Sequence, residues 1–320
     1  MKKIGLLTSG GDAPGMNSVI RSVVRTASKN DLQVCGIKRG YEGLLSGDVI
    51  DLTAKSVSDI SDHGGTMLLS ARCEEMRSEA GLKRAYEMSK IFGLDALIVI
   101  GGDGTITGAS LLNNLGLPVI GIPGTIDLDL DCSEYTIGFD TAINTGVDAI
   151  SKVQDTTFSH ERVSIVEVMG RNCGALAIWC AIATGADDVL VPEVPDVTHE
   201  DVIRHILSNR SKGKRQNIII FAEGYGKSHH LVNKIEDVTG ISSRATVLGH
   251  IQRGGAPSAL DRFHGSNMGS YAVNLLLQGE QNRIVIVKGG KYDHIDIHEG
   301  LAYKKPFDMD LYNQVRKLSI

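Results

Sequence analysis

Short apolar runs that mostly end in glycine recur along this chain, and their alternation with amphipathic stretches constrains the fold more than any other feature. The runs are IGLLTS, ALIVIGG, PVIGIPG, VSIVEVMG, IIIFAEG, TVLGHI and IVIVKGG. Continuous apolar segments of this length, bounded by turn residues, read as buried strands of parallel sheet. Between them, GLKRAYEMSKIFG, NTGVDAISKVQDT, HEDVIRHILSNRSKG and NMGSYAVNLLLQG carry helical spacing. Strand–helix alternation predicts open α/β sheets joined by right-handed crossovers. A chain of 320 residues has room for two such domains. No proline-rich or low-complexity linker separates them, so the boundary is a short crossing near residue 138.

Bulk properties exclude several classes. A formal net charge of −5 argues against a nucleic-acid or membrane-surface binder, which needs a cationic footprint. Anionic ligands must therefore be caught by local clusters. Cys35, Cys73, Cys132, Cys173 and Cys180 are scattered without C-x-x-C spacing, which predicts reduced thiols and a cytoplasmic protein. The opening MKKIGLLTSGGDAPG has too short an apolar stretch for a signal peptide, and no later run is long enough to span a bilayer.

In an open α/β sheet, ligands sit beyond the carboxyl ends of the strands, so the residues just after the strands carry the chemistry. Thr8-Ser9-Gly10-Gly11-Asp12-Ala13-Pro14-Gly15 follows the first strand and leads into a helix starting near Gly15. Its glycines let backbone approach a phosphate, and the helix N-terminus offers N–H groups and a favourable dipole. An ordinary tight turn would have the same composition. Gly101-Gly102-Asp103-Gly104-Thr105 is sharper: an anion cradle with a magnesium ligand candidate in Asp103. Read alone it does not choose a reaction, because the motif also occurs in the NAD kinase and lipid kinase group. Asp127, Asp129 and Asp131 follow at alternate positions after another strand. In an extended segment they point the same way, towards a cation or a hydroxyl. Arg162, Arg171, Arg244 and Arg253 stand near strand ends, where bidentate phosphate capture is suited.

The segments LTSGGDAPGMN, SARC, GGDGT, GIPGTID-x-D, VEVMGR and RATVLGHIQRGG, in this order and spacing, resemble the bacterial 6-phosphofructokinase family from Lys2 to about Lys304. The resemblance implies two similar three-layer (αβα) Rossmann-like domains of class α/β, with mostly parallel sheets and an active site between them. It implies an ATP-binding domain of residues 1–138 plus about 256–304, and a fructose-6-phosphate domain of 139–255 plus about 305–320. The implied reaction is the glycolytic, Mg²⁺-dependent transfer of the ATP γ-phosphate to the 1-hydroxyl of fructose 6-phosphate, by a cytoplasmic homotetramer.

Residue by residue, the resemblance assigns ATP to Gly11, Arg72, Cys73, Gly102, Asp103, Gly104, Thr105 and Gly108, with Asp103 serving the metal. Asp127 is the general base, supported by Thr125 and Asp129, while Arg171 and Arg72 stabilise charge on the transferring group. The sugar phosphate falls to Thr125, Ile126, Asp127, Met169, Gly170, Arg171, Glu223, His250, Ile251, Gln252 and Arg253. Arg162 and Arg244 would reach it from a neighbouring subunit. An effector site is implied at Arg21, Arg25, Asp59, Gly185, Asp187, Lys212 and Lys214.

Family members that use pyrophosphate place Asp after GGD and Lys before TID; Gly104 and Gly124 stand here, which favours ATP. Four departures matter. Leu128 replaces the usual Asn of the aspartate loop, and alternation would turn it away from the two acids. Ala54 and Gln154 stand where arginines are common, and Asp187 where Glu is. Losing two cations predicts weakened or absent effector control, since each charge-assisted bond contributes ~1.5–3 kcal/mol.

Overall fold

The computed structural model describes residues 1–319. The chain opens with β1 (Lys3–Thr8), α1 (Met16–Lys29), β2 (Gln33–Ile37), α2 (Gly40–Ser46), β3 (Val49–Leu52), α3 (Glu79–Ile91), β4 (Ala96–Gly101), α4 (Asp103–Asn114) and β5 (Val119–Pro123). It continues with α5 (Phe139–Ser159), β6 (Val163–Val168), α6 (Ala175–Thr184), β7 (Asp188–Leu190), α7 (His199–Ser211), β8 (Asn217–Ala222), α8 (Ser228–Thr239) and β9 (Ser243–Val247). The last elements are α9 (Ala259–Leu277), β10 (Arg283–Lys288), β11 (Lys291–Asp296), α10 (Ile297–Ala302) and α11 (Met309–Leu318). The chain divides into two compact units: residues 1–141 with 253–305, and residues 142–252 with 306–320.

The first unit holds a seven-stranded sheet in the order β11-β10-β5-β4-β1-β2-β3. Its inner pairs are parallel, and β3 and β11 are antiparallel edge strands. Leu7, Leu97 and Val99 pack on one face with Leu44, Ala85, Ile106 and Leu112, which come from α2, α3 and α4. On the opposite face α1 lies beneath β4 and β5: a Cβ at Gly124 would meet both Ile100 Cγ2 and Met16 Cε. Helices on both faces of a mostly parallel sheet give the three-layer Rossmann-like arrangement.

The second unit has a parallel four-stranded sheet, β7-β8-β6-β9. Its core joins Val163, Ile165, Ile219 and Phe221 to Val202, Ile206, Leu231 and Ile235 of α7 and α8. The C-terminal α11 is pinned to this sheet by Arg316, whose Nε donates to buried Asp188 at 2.7 Å.

Two local expectations need correction. TVLGHI is a strand only at its start: β9 stops at Val247, and Gly249 (φ 55°) turns the chain into a 3₁₀ segment, Gly249–Arg253. The aspartate loop is not extended throughout, because Leu128 has φ 53°. A left-handed residue breaks the side-to-side alternation, so spacing alone does not say where residues 127 to 129 point.

Candidate active site

In the first unit, three loops after adjacent parallel strands meet. β1 runs into Gly10 (φ 84°) and then Gly15 (φ 103°), which caps α1. Gly15 must lack a side chain: a Cβ would lie 2.8 Å from Ile137 Cγ2 and 3.2 Å from Asp261 Cβ. Gly11 is exposed, and Arg253 lies across it, Nη1 donating to the Asp12 carbonyl at 3.0 Å. Arg253, assigned by resemblance to the sugar phosphate, is thus held on the β1–α1 loop. Residues 70–73 join the same loop: Ser70 Oγ donates to the Gly10 carbonyl at 2.6 Å, and Arg72 is exposed beside it with Cys73 half-buried.

The GGDGT turn sits one strand over. Gly102 caps α4, and Asp103 and Gly104 open that helix exposed to solvent. Thr105 is buried, with its hydroxyl donating to the Ser9 carbonyl at 3.0 Å, which ties the turn to the first loop. Gly108 lies against the Tyr41 ring, and Tyr41 OH donates to the Thr105 carbonyl at 2.6 Å. Burial pushes the Tyr41 phenol far above its ordinary value, so it stays a neutral donor. Thr105 and Gly108 therefore shape the cradle from behind, whereas Asp103 and Gly104 present its surface.

The aspartate loop follows β5 next door. Gly124 N donates to the Gly101 carbonyl at 3.0 Å, and a Cβ on Gly102 would lie 3.8 Å from Thr125 Cβ, so the glycine turn and the aspartate loop are in contact. Thr125 Oγ1 accepts from Asp127 N at 3.2 Å. Ile126 is fully buried and Asp127 is 1% exposed. Asp129 is half-buried, while Asp131 pairs with exposed Lys304 at 3.6 Å. Asp131 is thus occupied at the periphery, and it does not share in the convergence that its spacing suggests.

In the second unit, Gly170 (φ 135°) and Arg171 (φ 52°) form a tight turn after β6. Glu223 Oε1 accepts from both Gly170 N (3.2 Å) and Arg171 N (2.8 Å), fixing that turn beside the end of β8. Gln252 is 0% exposed and its Oε1 accepts from Met169 N at 2.8 Å. It holds Met169 from within the core, whereas neighbouring His250 and Ile251 are exposed. Met169, Gly170, Arg171, Glu223 and His250 thus gather beyond the carboxyl ends of β6, β8 and β9. Arg162 and Arg244 do not join them. Arg162 precedes β6, its Nη2 donating to Thr156 Oγ1 at 2.8 Å, and Arg244 is the second residue of edge strand β9. They occupy the amino end of the sheet, a strand length of roughly 20 Å away for six residues.

The residues assigned to an effector fall in both units. In the first, Arg21 and Arg25 lie one helical turn apart on α1, half-buried and exposed, and exposed Asp59 accepts from Ser58 Oγ at 3.2 Å. In the second, Gly185 (φ 65°) ends α6, and Asp187 is buried. Asp187 accepts from Lys214 Nζ (2.5 Å), Asn209 Nδ2 (3.4 Å) and Ile218 N (2.9 Å). Gln154 Nε2 donates to the Thr184 carbonyl at 2.7 Å, and Lys212 is exposed. Asn17, within LTSGGDAPGMN, has a part that no sequence signal announces. Its Nδ2 donates to the His63 carbonyl (3.0 Å) and its Oδ1 accepts from Met67 N (2.8 Å), securing the segment that leads to Arg72.

Glycine-rich turns beside a buried carboxylate, at the carboxyl ends of parallel strands, define a doubly wound α/β protein fitted to phosphate-bearing ligands. The comparisons narrow that class. The Phosphofructokinase family model matches residues 3–276. A relative from Clostridium botulinum named ATP-dependent 6-phosphofructokinase is 52% identical over 319 residues, covering 100% of this chain and 100% of the relative. A structure of phosphofructokinase from Saccharomyces cerevisiae superposes with TM-score 0.87 at 34% identity, over 94% of this chain and 45% of that one. This chain therefore spans less than half of the yeast chain. A pyrophosphate-dependent phosphofructokinase from Marinobacter aquaeolei, at 21% identity, shares the fold with TM-score 0.83 over 100% of this chain and 92% of that one. The chain belongs to the phosphofructokinase family. Among the described residues, no helix is long and apolar enough to cross a membrane.

Proposed function

We propose that this chain is an ATP-dependent 6-phosphofructokinase: it transfers the γ-phosphate of ATP to the 1-hydroxyl of D-fructose 6-phosphate, yielding fructose 1,6-bisphosphate and ADP, in glycolysis. The observation that carries the reading is the contact between the GGDGT turn and a loop bearing the buried carboxylate of Asp127. A donor cradle and a base are thereby adjacent on neighbouring strands. Full-length identity to relatives named for this activity supports the same substrates.

In this reading the first unit (the ATP-binding assignment of residues 1–138 plus about 256–304) holds the nucleotide on Gly11, Arg72, Cys73, Gly102, Asp103 and Gly104. Asp103 would hold Mg²⁺; one exposed carboxylate at the start of α4 suits an ion that takes its other ligands from phosphate and water. When bound, the ion neutralises charge on the phosphates. Asp127 accepts the hydroxyl proton. A carboxylate is a weak base at neutral pH, so the proton moves only as the new P–O bond forms and acidifies the hydroxyl. Positioning and charge neutralisation carry most of the catalysis in such a loose transition state. Arg171 and Arg72 stabilise the transferring phosphoryl group. The second unit binds the sugar phosphate through Met169, Glu223 and His250. Glu223 has one oxygen engaged by two backbone N–H groups, which orients its carboxylate.

Arg162 and Arg244 stand at the far end of their sheet from Met169 and Glu223. Their service to the sugar phosphate therefore requires a second copy of the chain, in keeping with the homotetramer with shared sites that the reading includes. The test is a coupled assay for fructose 1,6-bisphosphate with ATP and then pyrophosphate, run on wild type and Asp127→Ser. Removing a general base typically costs ~10²–10⁴ in rate. A fall in kcat of that order with a smaller change in KM is expected; an unchanged kcat defeats the assignment of Asp127.

A further inference from the structure

Asp261, at the third position of α9, is 0% exposed and has no part in the chemistry above. Its carboxylate accepts from four donors. Oδ1 takes Tyr135 OH and Gly138 N, each at 2.6 Å; Oδ2 takes Thr141 N at 2.9 Å and Thr141 Oγ1. All four groups donate at once only to the ionised form, since a neutral acid would have to turn its own proton towards one of the two hydroxyls. Burial raises the pKa of Asp261 above the ordinary carboxylate value, and the donors offset only part of that rise. A charge this deep is costly to hold, and breaking such a cluster on one side is costlier still.

What the cluster holds is the strip behind the aspartate loop. Tyr135 and Gly138 bracket Thr136 and Ile137. Thr136 Oγ1 donates to the Thr125 carbonyl at 2.6 Å, Ile137 N donates to the Pro123 carbonyl at 3.0 Å, and Gly124 and Ile137 form a parallel bridge. Thr125 in turn takes the Asp127 backbone N–H. Tyr135 is stacked on His264 with ring centroids 4.1 Å apart, which steadies the phenol. Gly138 (φ 105°) has no room for a side chain, since a Cβ would lie 2.6 Å from Ala13 Cβ. Two short hydrogen-bonded steps therefore connect Asp261 to the loop that carries Asp127.

We propose that Asp261 is a positioning residue for catalysis: by clamping Tyr135 and Gly138 it presses Thr136 and Ile137 against residues 123–125 and thereby fixes the placement of Asp127. The inference rests on the reading of Asp127 as base. A reacting group misplaced by about 1 Å can lose ~10² in rate, so the clamp is expected to show in kcat more than in KM.

The experiment compares Tyr135→Phe, Thr136→Val, their double variant and Asp261→Asn. Each is checked for folding by circular dichroism and thermal melting, and assayed well below its melting temperature. Thr136→Val is expected to lower kcat by roughly tenfold or more, with KM for ATP within about threefold. The double variant should lose less than the product of the single effects, because both act along one chain of contacts. In an Asp127→Ser background, Thr136→Val should leave the residual kcat within about twofold. If Asp261→Asn does not fold, the two milder variants decide. Wild-type kcat in both folded single variants, with only melting temperatures lowered, overturns the proposal. If Asp127→Ser itself keeps wild-type kcat, the base reading fails first and the positioning of Asp127 falls with it. If Asp127→Ser is slow and Thr136→Val is not, the positioning proposal fails alone.

Discussion

Gly104 separates what the fold requires from what the ligand requires. It is the second residue of α4, its φ lies outside the left-handed region, and nothing lies within 4 Å of where its Cβ would be. Its neighbours differ. A Cβ at Gly101 would fall 2.5 Å from Thr105 Oγ1 and 2.6 Å from the Ser9 carbonyl, and one at Gly108 would touch the Tyr41 ring at 3.0 Å. Those glycines are demanded by packing; Gly104 is not. Glycine in a helix costs about 0.5–1 kcal/mol relative to alanine, and an acid in the first turn contributes ~0.3–1 kcal/mol. Gly104→Ala and Gly104→Asp should each therefore stabilise the ligand-free protein by up to about 1 kcal/mol, raising its melting temperature by about 2 °C. Function should move the other way for Asp. Two unit charges 4 Å apart repel by ~4 kcal/mol at the effective dielectric of a protein surface. Solvent screening at an exposed helix start trims this, leaving a loss of ~10²–10³ in kcat/KM for ATP. Gly104→Ala, with no charge, should lose far less. Differential scanning fluorimetry and steady-state kinetics on the two variants test both halves. A lower melting temperature in Gly104→Ala, or ATP kinetics within twofold of wild type in Gly104→Asp, would refute the reasoning.

Two further outcomes are expected. Effector control should be weak, since Lys214 is already paired with buried Asp187 and Gln154 with the Thr184 carbonyl; ADP should shift the half-saturating fructose 6-phosphate concentration by less than about twofold, and a sharp drop would contradict this. Asp95 accepts from the backbone N–H groups of Lys2 and Lys3, which hold its carboxyl below the ordinary carboxylate range. Its folded pKa is lowered, so its stabilisation is present above the unfolded value and is lost as pH falls through the folded one. Asp95→Asn should cost up to about 1 kcal/mol in denaturant unfolding at pH 7, with the difference from wild type closing as pH falls below the ordinary Asp value of about 3.9.

Strands β1, β4, β5, β6, β8 and β10 were legible because each is almost wholly buried and reads as an unbroken apolar run, as ALIVIG does in β4. β2, β3, β7 and β11 gave no such signal. KYDHID in β11 is an antiparallel edge strand with exposed and half-exposed residues, and β7 is only three residues long. A strand that needs only one neighbour and faces solvent can be written in polar residues, so periodicity misses it. The short crossing near residue 138 is read from the lack of any proline-rich or low-complexity linker, and Gly138 (φ 105°) sits immediately before α5.

For the site, sequence marks which residues are unusual and not which of their atoms are already engaged. Asp127, Asp129 and Asp131 are alike in spacing, yet one is buried against Thr125 and another is turned out to Lys304. Leu128 explains why spacing failed. At φ 53° it occupies a conformation that asparagine tolerates and a leucine enters at a cost of about 1–2 kcal/mol. The residue usual at this place in the family is thus the one suited to the turn, and the substitution keeps the turn at the expense of strain. A loop that holds a strained residue between two acids must be braced from outside itself. The bracing comes from Thr136 on the Thr125 carbonyl, and behind it from Asp261, a residue more than a hundred positions away in sequence. No local pattern announces such a residue. Asp three places into a helix reads as an ordinary helix-start acid, until burial shows that four donors surround it and that the acid faces the aspartate loop's support instead of solvent.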